Sequence, residues 1–326
     1  MHKRFVNHCT IELSLIPDGP ILIKSGKEGA DPTKPDMEFV ETYHEGGRSL
    51  YLPGSSLKGA IRAHAERIVR TVGRDSKPNE SGVLWANDPL NDNYDYLKDP
   101  KDKKKTLLSH RIYKESSFTD QLFGNVEIAS RLRIEDAYPI DRTQLKVEER
   151  NGVAIDRVFG SVAVGPFNYQ VCTAGAFKTK IHLKNFTLAQ LGLIGLVLRD
   201  LNDGWFGIGF AKSRGMGQVA VTLKQAIVQY PGCVLVEENS VTKIKQLGSA
   251  KQPWNNTMLL GAGEFLSEED ANTYGFSAND QQDTPVAAEA MTLGFGVQLT
   301  WAEGTVTDLF ERAVKSWSKV VLGVAA

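Results

Sequence analysis

The strongest hydrophobic pattern in the chain is helical. Leu57, Ile61, Ala65, Ile68 and Val69 recur every three or four positions, while Lys58, Arg62 and Arg70 fall largely on another side. That spacing predicts an amphipathic helix over about 56–72. Ile11, Leu13 and Leu15 alternate, which predicts a strand over 9–16, and a second short strand follows at 21–24. Segments 39–43 and 49–52 read as strands joined by the turn His44-Glu45-Gly46-Gly47-Arg48. Segment 129–138 alternates as a half-buried strand, and 178–183 and 218–223 are strands. Segment 188–201, apolar around most of its circumference, predicts a buried helix. Towards the end, 258–260 and 295–301 are strand-like. Segment 307–322 is a helix carrying Leu309, Phe310, Ala313, Val314 and Trp317. The order strand, helix, strand, strand, helix, strand predicts an α+β fold with a ferredoxin-like, RRM-type βαββαβ core.

Two stretches lack periodicity. Residues 25–36 form a polar loop rich in Gly and Pro, and 73–117 are crowded with Asp, Asn, Lys and Pro, as in a solvated insertion. Lys101 and Lys103-Lys104-Lys105 lie in that insertion and read as a charged loop. The organisation expected is a core over 1–223, with an insertion at about 73–117 and a hairpin at about 146–177. A C-terminal extension, 224–326, packs on the core or on a neighbouring subunit.

Charge sharpens this division. The 326 residues carry 38 Lys/Arg and 39 Asp/Glu, a net −1. Residues 231–326 hold six basic and twelve acidic residues, a balance of −6, which leaves 32 and 27 for residues 1–230, a balance of +5. The basic part is the one a nucleic acid would favour. No apolar run approaches the roughly 20 residues of a membrane span, and the start shows no signal peptide, so the expectation is a cytoplasmic protein without a membrane partner. Three scattered cysteines and six scattered histidines suggest neither a disulfide framework nor a CxxC zinc site.

Three motifs carry the candidate chemistry. The first is Pro53-Gly54-Ser55-Ser56-Leu57-Lys58-Gly59 with Arg62, where a turn enters a helix through a Ser able to cap it. It offers free N–H groups, two hydroxyls and two cations to an anion; the plain alternative is a capped helix with a solvated basic side. The second is Arg150 to Phe167, a hairpin whose Arg157 and apolar Val158, Phe159 and Phe167 could reach a partner or pack on its own sheet. The third is the Gly-rich run from Gly204 to Gly217 containing Lys212, Ser213, Arg214 and Gly215. It matches neither a Walker A loop nor a dinucleotide fingerprint, since a strand rather than a helix follows.

Taken together, these motifs resemble the RAMP superfamily, the repeat-associated proteins of CRISPR systems. They are most similar to the repeated backbone subunit of type III effector complexes. Leu122-Phe123-Gly124 and Asp136-Ala137 add a recurrent pair of that family. The resemblance covers roughly 9–223. It implies a subunit that binds a crRNA guide through Gly54, Ser55, Ser56, Lys58, Arg62, Lys212, Ser213, Arg214 and Gly215. A thumb hairpin bearing Arg157, Val158 and Phe159 would displace nucleotides of the paired complementary target RNA. Other subunits of the complex, similar backbone copies included, are its implied partners. In catalytic members an Asp in the loop before Pro-Gly cuts the target with a divalent metal such as Mg²⁺. Asp36 fits best, also as metal ligand, with Asp31 as runner-up. Two alternatives stand beside this one: a non-catalytic guide-binding subunit, and a guide-processing endoribonuclease using His chemistry, for which His64 is the only histidine in the central motif.

Overall fold

The computed structural model describes residues 4–26, 35–79, 82–90, 94–100, 102, 105–277 and 279–323. The chain begins with strand β1 (His8–Pro17), the two-stranded ribbon β2 (Glu41–His44) and β3 (Gly47–Leu50), and helix α1 (Gly54–Val72). Helices α2 (Ser109–Glu115) and α3 (Phe118–Phe123) come next, then strands β4 (Leu132–Ile134) and β5 (Tyr138–Pro139). A hairpin of β6 (Lys146–Ile155) and β7 (Val162–Ala174) leads into β8 (Phe177–Lys184), α4 (Leu188–Asn202) and β9 (Val219–Tyr230). The remainder holds β10 (Cys233–Glu238), β11 (Val241–Gln246), β12 (Trp254–Asn255), β13 (Met258–Leu260) and α5 (Glu268–Tyr274). It ends with β14 (Gln281–Asp283), β15 (Glu289–Ala290), β16 (Val297–Ala302) and α6 (Val306–Leu322).

Four strands in the order β9-β1-β8-β4, all antiparallel, with α1 and α4 as the two crossovers, make the expected ferredoxin-like core. Alternation explains which side the helices cover. Cys9, Ile11, Leu13 and Leu15 of β1 are buried, as are Ile181 and Leu183 of β8, whereas His8, Thr10, Glu12 and His182 stay partly exposed on the other side. The C-terminal segment widens the same sheet: β16 pairs with β9, and β15 with β16. Helix α6 lies against α4 at very close range. A Cβ on Gly192 would sit 2.6 Å from Ala313 O, and one on Gly195 2.6 Å from the Phe310 ring. Glycine at both positions lets the helices touch.

Several boundaries differ from the sequence reading. The last core strand does not stop at 223 but continues to Tyr230, because Ala226, Val228 and Tyr230 are fully buried against the core. Residues 21–24 make only isolated bridges, Ile21 to Cys172 and Lys24 to Phe39. The turn in the β2–β3 ribbon shrinks to Glu45-Gly46, both at positive φ, the geometry that suits a two-residue hairpin turn. The half-buried strand over 129–138 splits into β4 and β5, because residues 135–137 turn to receive the start of α1. The insertion contributes to the packed structure. Leu84, Trp85, Ala86 and Leu97 are buried, and Tyr113 of α2 stacks on Phe276 at 5.5 Å, joining the insertion to the C-terminal segment. Lys101, Lys103 and Lys104 lie outside the described residues, while Lys105 faces Asp102 at 3.5 Å.

Candidate nucleic-acid interface

Helix α1 starts two residues earlier than expected, at Gly54, and neither serine caps it. Pro53 holds the N-cap position without a side-chain bond. The cap comes from a distant residue: Gly54 N–H donates to Asp136 Oδ1 at 2.7 Å. Leu52 and Ala137 exchange two backbone bonds of 2.9 and 2.8 Å beside it. A Cβ at Gly54 would lie 2.3 Å from Ile134 O, so only glycine lets the helix start sit against β4. Two sequence motifs far apart in the chain are therefore halves of one junction. Ser55 and Ser56 remain exposed in the first turn, and Lys58 is half-buried. Burial, and then the nearby Arg62 charge, lower the Lys58 pKa.

Arg62 faces the other way. Its Nε donates to Glu66 (2.7 Å), Nη2 to Asp120 (2.8 Å) and Nη1 to Gly124 O (3.0 Å). These bonds tie α1 to α3 and to the Leu122-Phe123-Gly124 corner. The guanidinium expected to hold RNA is aimed at the protein.

The Gly-rich loop folds back on residues 20–23. Gly217 N–H donates to Pro20 O (2.9 Å), Phe210 N–H to Leu22 O (2.7 Å), and Ile208 N–H to Gly217 O (2.9 Å). Gly209, at φ +80°, passes so near Leu22 that a Cβ would lie 2.2 Å from its carbonyl oxygen. That contact lifts the short 3₁₀ turn Lys212–Arg214 to the surface, with Lys212, Ser213, Arg214 and Gly215 all exposed. Arg214 lies over the Phe210 ring at 5.2 Å.

The same short segment meets the root of the β6–β7 hairpin, through Ile21 and Cys172, and the loop carrying Asp36, through Val40 N–H to Ile23 O at 2.9 Å. Asp36 is exposed, yet one of its carboxylate oxygens is held: Asn168 N–H of β7 donates to Oδ2 at 2.8 Å. Met37 N–H donates to Asn168 O, and Phe39 N–H to Gln170 Oε1 at 3.2 Å. Asp31 lies outside the described residues. At the far end of the hairpin, Asp156 Oδ1 accepts from Val158 N–H and Phe159 N–H, both at 2.8 Å, which lowers its pKa. Val158 and Phe159 are 80% and 84% exposed, with Arg157 exposed beside them. Phe167 is not at the tip. Its ring lies across Gly152 in the shank.

A family model described as RAMP superfamily matches residues 17–220, more than half of the chain. The chain belongs to the RAMP superfamily. RAMP proteins are in general CRISPR-associated and RNA-binding, and act in multisubunit complexes. No curated protein matches the chain. The matched span contains the α1 junction, the hairpin and the Gly-rich loop, so the three motifs sit within the RAMP unit.

Other features of this RAMP chain limit its chemistry. No group of three or more His, Cys, Asp or Glu among the described residues could hold a metal ion. Asp36 keeps one carboxylate oxygen without a partner among the described residues. That fits a mostly hydrated Mg²⁺ shared with phosphate oxygens and does not fit a cage built by protein alone. His64 is buried, with Nε2 2.8 Å from Asp200 Oδ2 and its ring stacked on Phe206 at 4.3 Å. No described helix is long and apolar enough to cross a membrane. Motif reading passed over two aromatic groupings: His44 stacked on Tyr138 at 3.7 Å beside the α1 junction, and Phe5, His8 and His182 on the uncovered side of the sheet. Alternation along β1 and β8 was the available signal for the second.

Proposed function

We propose that this protein is a crRNA-binding backbone subunit of a type III CRISPR effector and cleaves complementary target RNA beside the shank of its hairpin. The observation that carries the reading is the 2.8 Å bond from Asn168 N–H to Asp36. It fixes the candidate acid on the strand that bears the exposed Val158–Phe159 end. The Lys212–Arg214 turn, Ser55 and Lys58 present cations, hydroxyls and main-chain groups, which suit a guide held by its backbone independently of sequence. An apolar tip wedged into a paired guide and target unstacks a base step at a cost of a few kcal/mol. The sugar freed by that wedge can bring its own 2′-OH in line with the adjacent phosphate. The new 2′-O–P bond forms as the P–O5′ bond breaks, leaving a 2′,3′-cyclic phosphate and a 5′-hydroxyl. Asp36, held by Asn168, orients the reacting groups. A divalent cation, when bound, supplies charge neutralisation at the phosphate.

The test is the purified complex with Asp36→Ala. Cleavage of a complementary RNA should fall by roughly 10²-fold or more, with guide content and assembly unchanged. Unaltered cutting would remove Asp36 from the chemistry. A complex that retains its guide but never cuts, with Asp36 intact, would favour the structural subunit. That second reading draws on the carboxylate oxygen already committed to Asn168. The His-based guide-processing reading finds little support in a His64 bound to Asp200 and stacked on Phe206.

A further inference from the structure

On the side of the sheet that the helices leave uncovered, a groove of about 450 Å³ runs from the first turn of α1 to the start of β1. Its walls include Phe5, His8, Ser55, Lys58, His182 and Lys184. Register places them: His8 faces Lys184 across β1 and β8, and Thr10 faces His182. The three rings form a ladder, Phe5 to His8 at 5.7 Å and His8 to His182 at 5.5 Å. An exposed Phe near a chain end would ordinarily be loosely held. Here Phe5, 52% exposed, is fixed between two bonds to one side chain: Val6 N–H donates to Asn185 Oδ1 (2.9 Å), and Asn185 Nδ2 donates to Arg4 O (2.8 Å). His182 is held as firmly, 2.9 Å from Glu135 Oε1 and 3.3 Å from Thr10 Oγ1.

The cations around the ladder sort into two kinds. Lys178 and Lys180 are both paired with Glu12, and Arg133 with Glu135. Lys58 and Lys184 make no ion pair among the described residues, and both line the groove. Fixed aromatic rings beside unpaired cations fit a base and its phosphate. In RRM-type sheets aromatic rings on the sheet surface stack bases; His8 and His182 stand on β1 and β8, the central strands of this core, and Phe5 extends the row just before β1.

We infer that this groove is a ribonucleotide site, with the base against Phe5 and His8 and the phosphate between Lys184 and Lys58. It is separate from the hairpin shank and the Gly-rich loop, and it rests on the RNA-binding reading only if the nucleotide belongs to a strand. A nucleotide of single-stranded RNA and a free mononucleotide share the chemistry.

The test uses full-length protein with ¹³C-labelled histidine, titrated with an oligouridylate dodecamer and, separately, with UMP. His8→Gln and His182→Gln assign the two imidazole signals. Shifts of both signals with the dodecamer at far lower concentration than with UMP assign the site to strand RNA. Comparable shifts at micromolar UMP assign it to a free nucleotide. Phe5→Ala and Lys184→Gln should each weaken the response roughly tenfold. The proposal falls if neither ligand moves the two signals, or if both variants respond like the parent. Dodecamer binding seen by anisotropy, lost in a Lys212→Ala/Arg214→Ala double variant but silent at both histidines, would sink this site and leave the guide-binding reading intact.

Discussion

Asp280 is one of two buried acids, with Asp120 (pushed up by burial to about 6), that shape the pH response of this protein. Both carboxylate oxygens of Asp280 accept from Leu188 N–H at the start of α4, at 3.2 and 3.1 Å. Burial nevertheless dominates and pushes its pKa up to about 7, against the pull of that bond. A carboxyl raised in the folded state binds its proton more tightly there than in the unfolded chain. Its stabilising share is complete below about pH 4 and is lost as pH rises through about 7. Urea unfolding between pH 4 and 7 should show stability falling with pH, and Asp280→Asn should flatten that slope. An unchanged slope would assign it to other groups. Arg62 is a second residue whose role can be measured. Arg62→Ala leaves Asp120, 1% exposed, without its cation. The expected loss is about 3 kcal/mol of stability, with RNA affinity of the folded variant little changed. A variant of full stability that loses RNA would restore Arg62 to the interface.

At the scale of elements, the α1 junction makes a sharper claim than its motif does. Gly54→Ala forces a methyl group against the Ile134 and Glu135 backbone and should cost about 1–3 kcal/mol in a denaturant titration. Asp136→Ala removes the cap and a long, exposed bond from the Tyr138 hydroxyl and should cost about 1 kcal/mol. Equal, negligible effects would mean that the helix start is not docked. The hairpin predicts the opposite pattern. Val158→Ser with Phe159→Ser should leave stability unchanged, because both side chains are exposed, and, under the proposed function, should abolish disruption of the guide–target duplex, read by 2-aminopurine fluorescence in the target. What could be read in the sequence follows from this contrast. Periodicity located α1, α4 and α6 to within a residue or two, because each buries a long apolar stripe. It missed the break between β4 and β5, because the cause is a backbone approach by Gly54, some eighty positions earlier. It also put Arg62 and Lys58 together on a side away from the apolar stripe, and the family resemblance made both of them guide-binding residues. Composition carries no sign that Asp120 and Glu66 turn one of them inward.

For the whole molecule, the C-terminal segment is part of the architecture of the core. It supplies β16 beside β9 and sets α6 on the Gly192–Gly195 surface of α4. A chain ended at 223 would cut β9 before Ala226, Val228 and Tyr230, and would expose the apolar side of α4. It should be recovered aggregated, whereas the full chain gives a single species on size exclusion. A monodisperse, cooperatively unfolding truncation would overturn this view. Charge did distinguish the acidic segment, but its sign says nothing of a strand that pairs with the core.

The outermost strands of the large sheet are brief: β15 has two residues at one margin, and β4 and β5 have three and two at the other. Neither margin offers a run of unpaired main-chain groups long enough to template another copy. Copies of this chain are therefore poorly suited to join edge to edge through this sheet as one continuous ribbon. In the proposed crRNA-bound assembly, the repeat distance would then follow the nucleic acid that the subunits coat, and the length of the array would become a property of the guide.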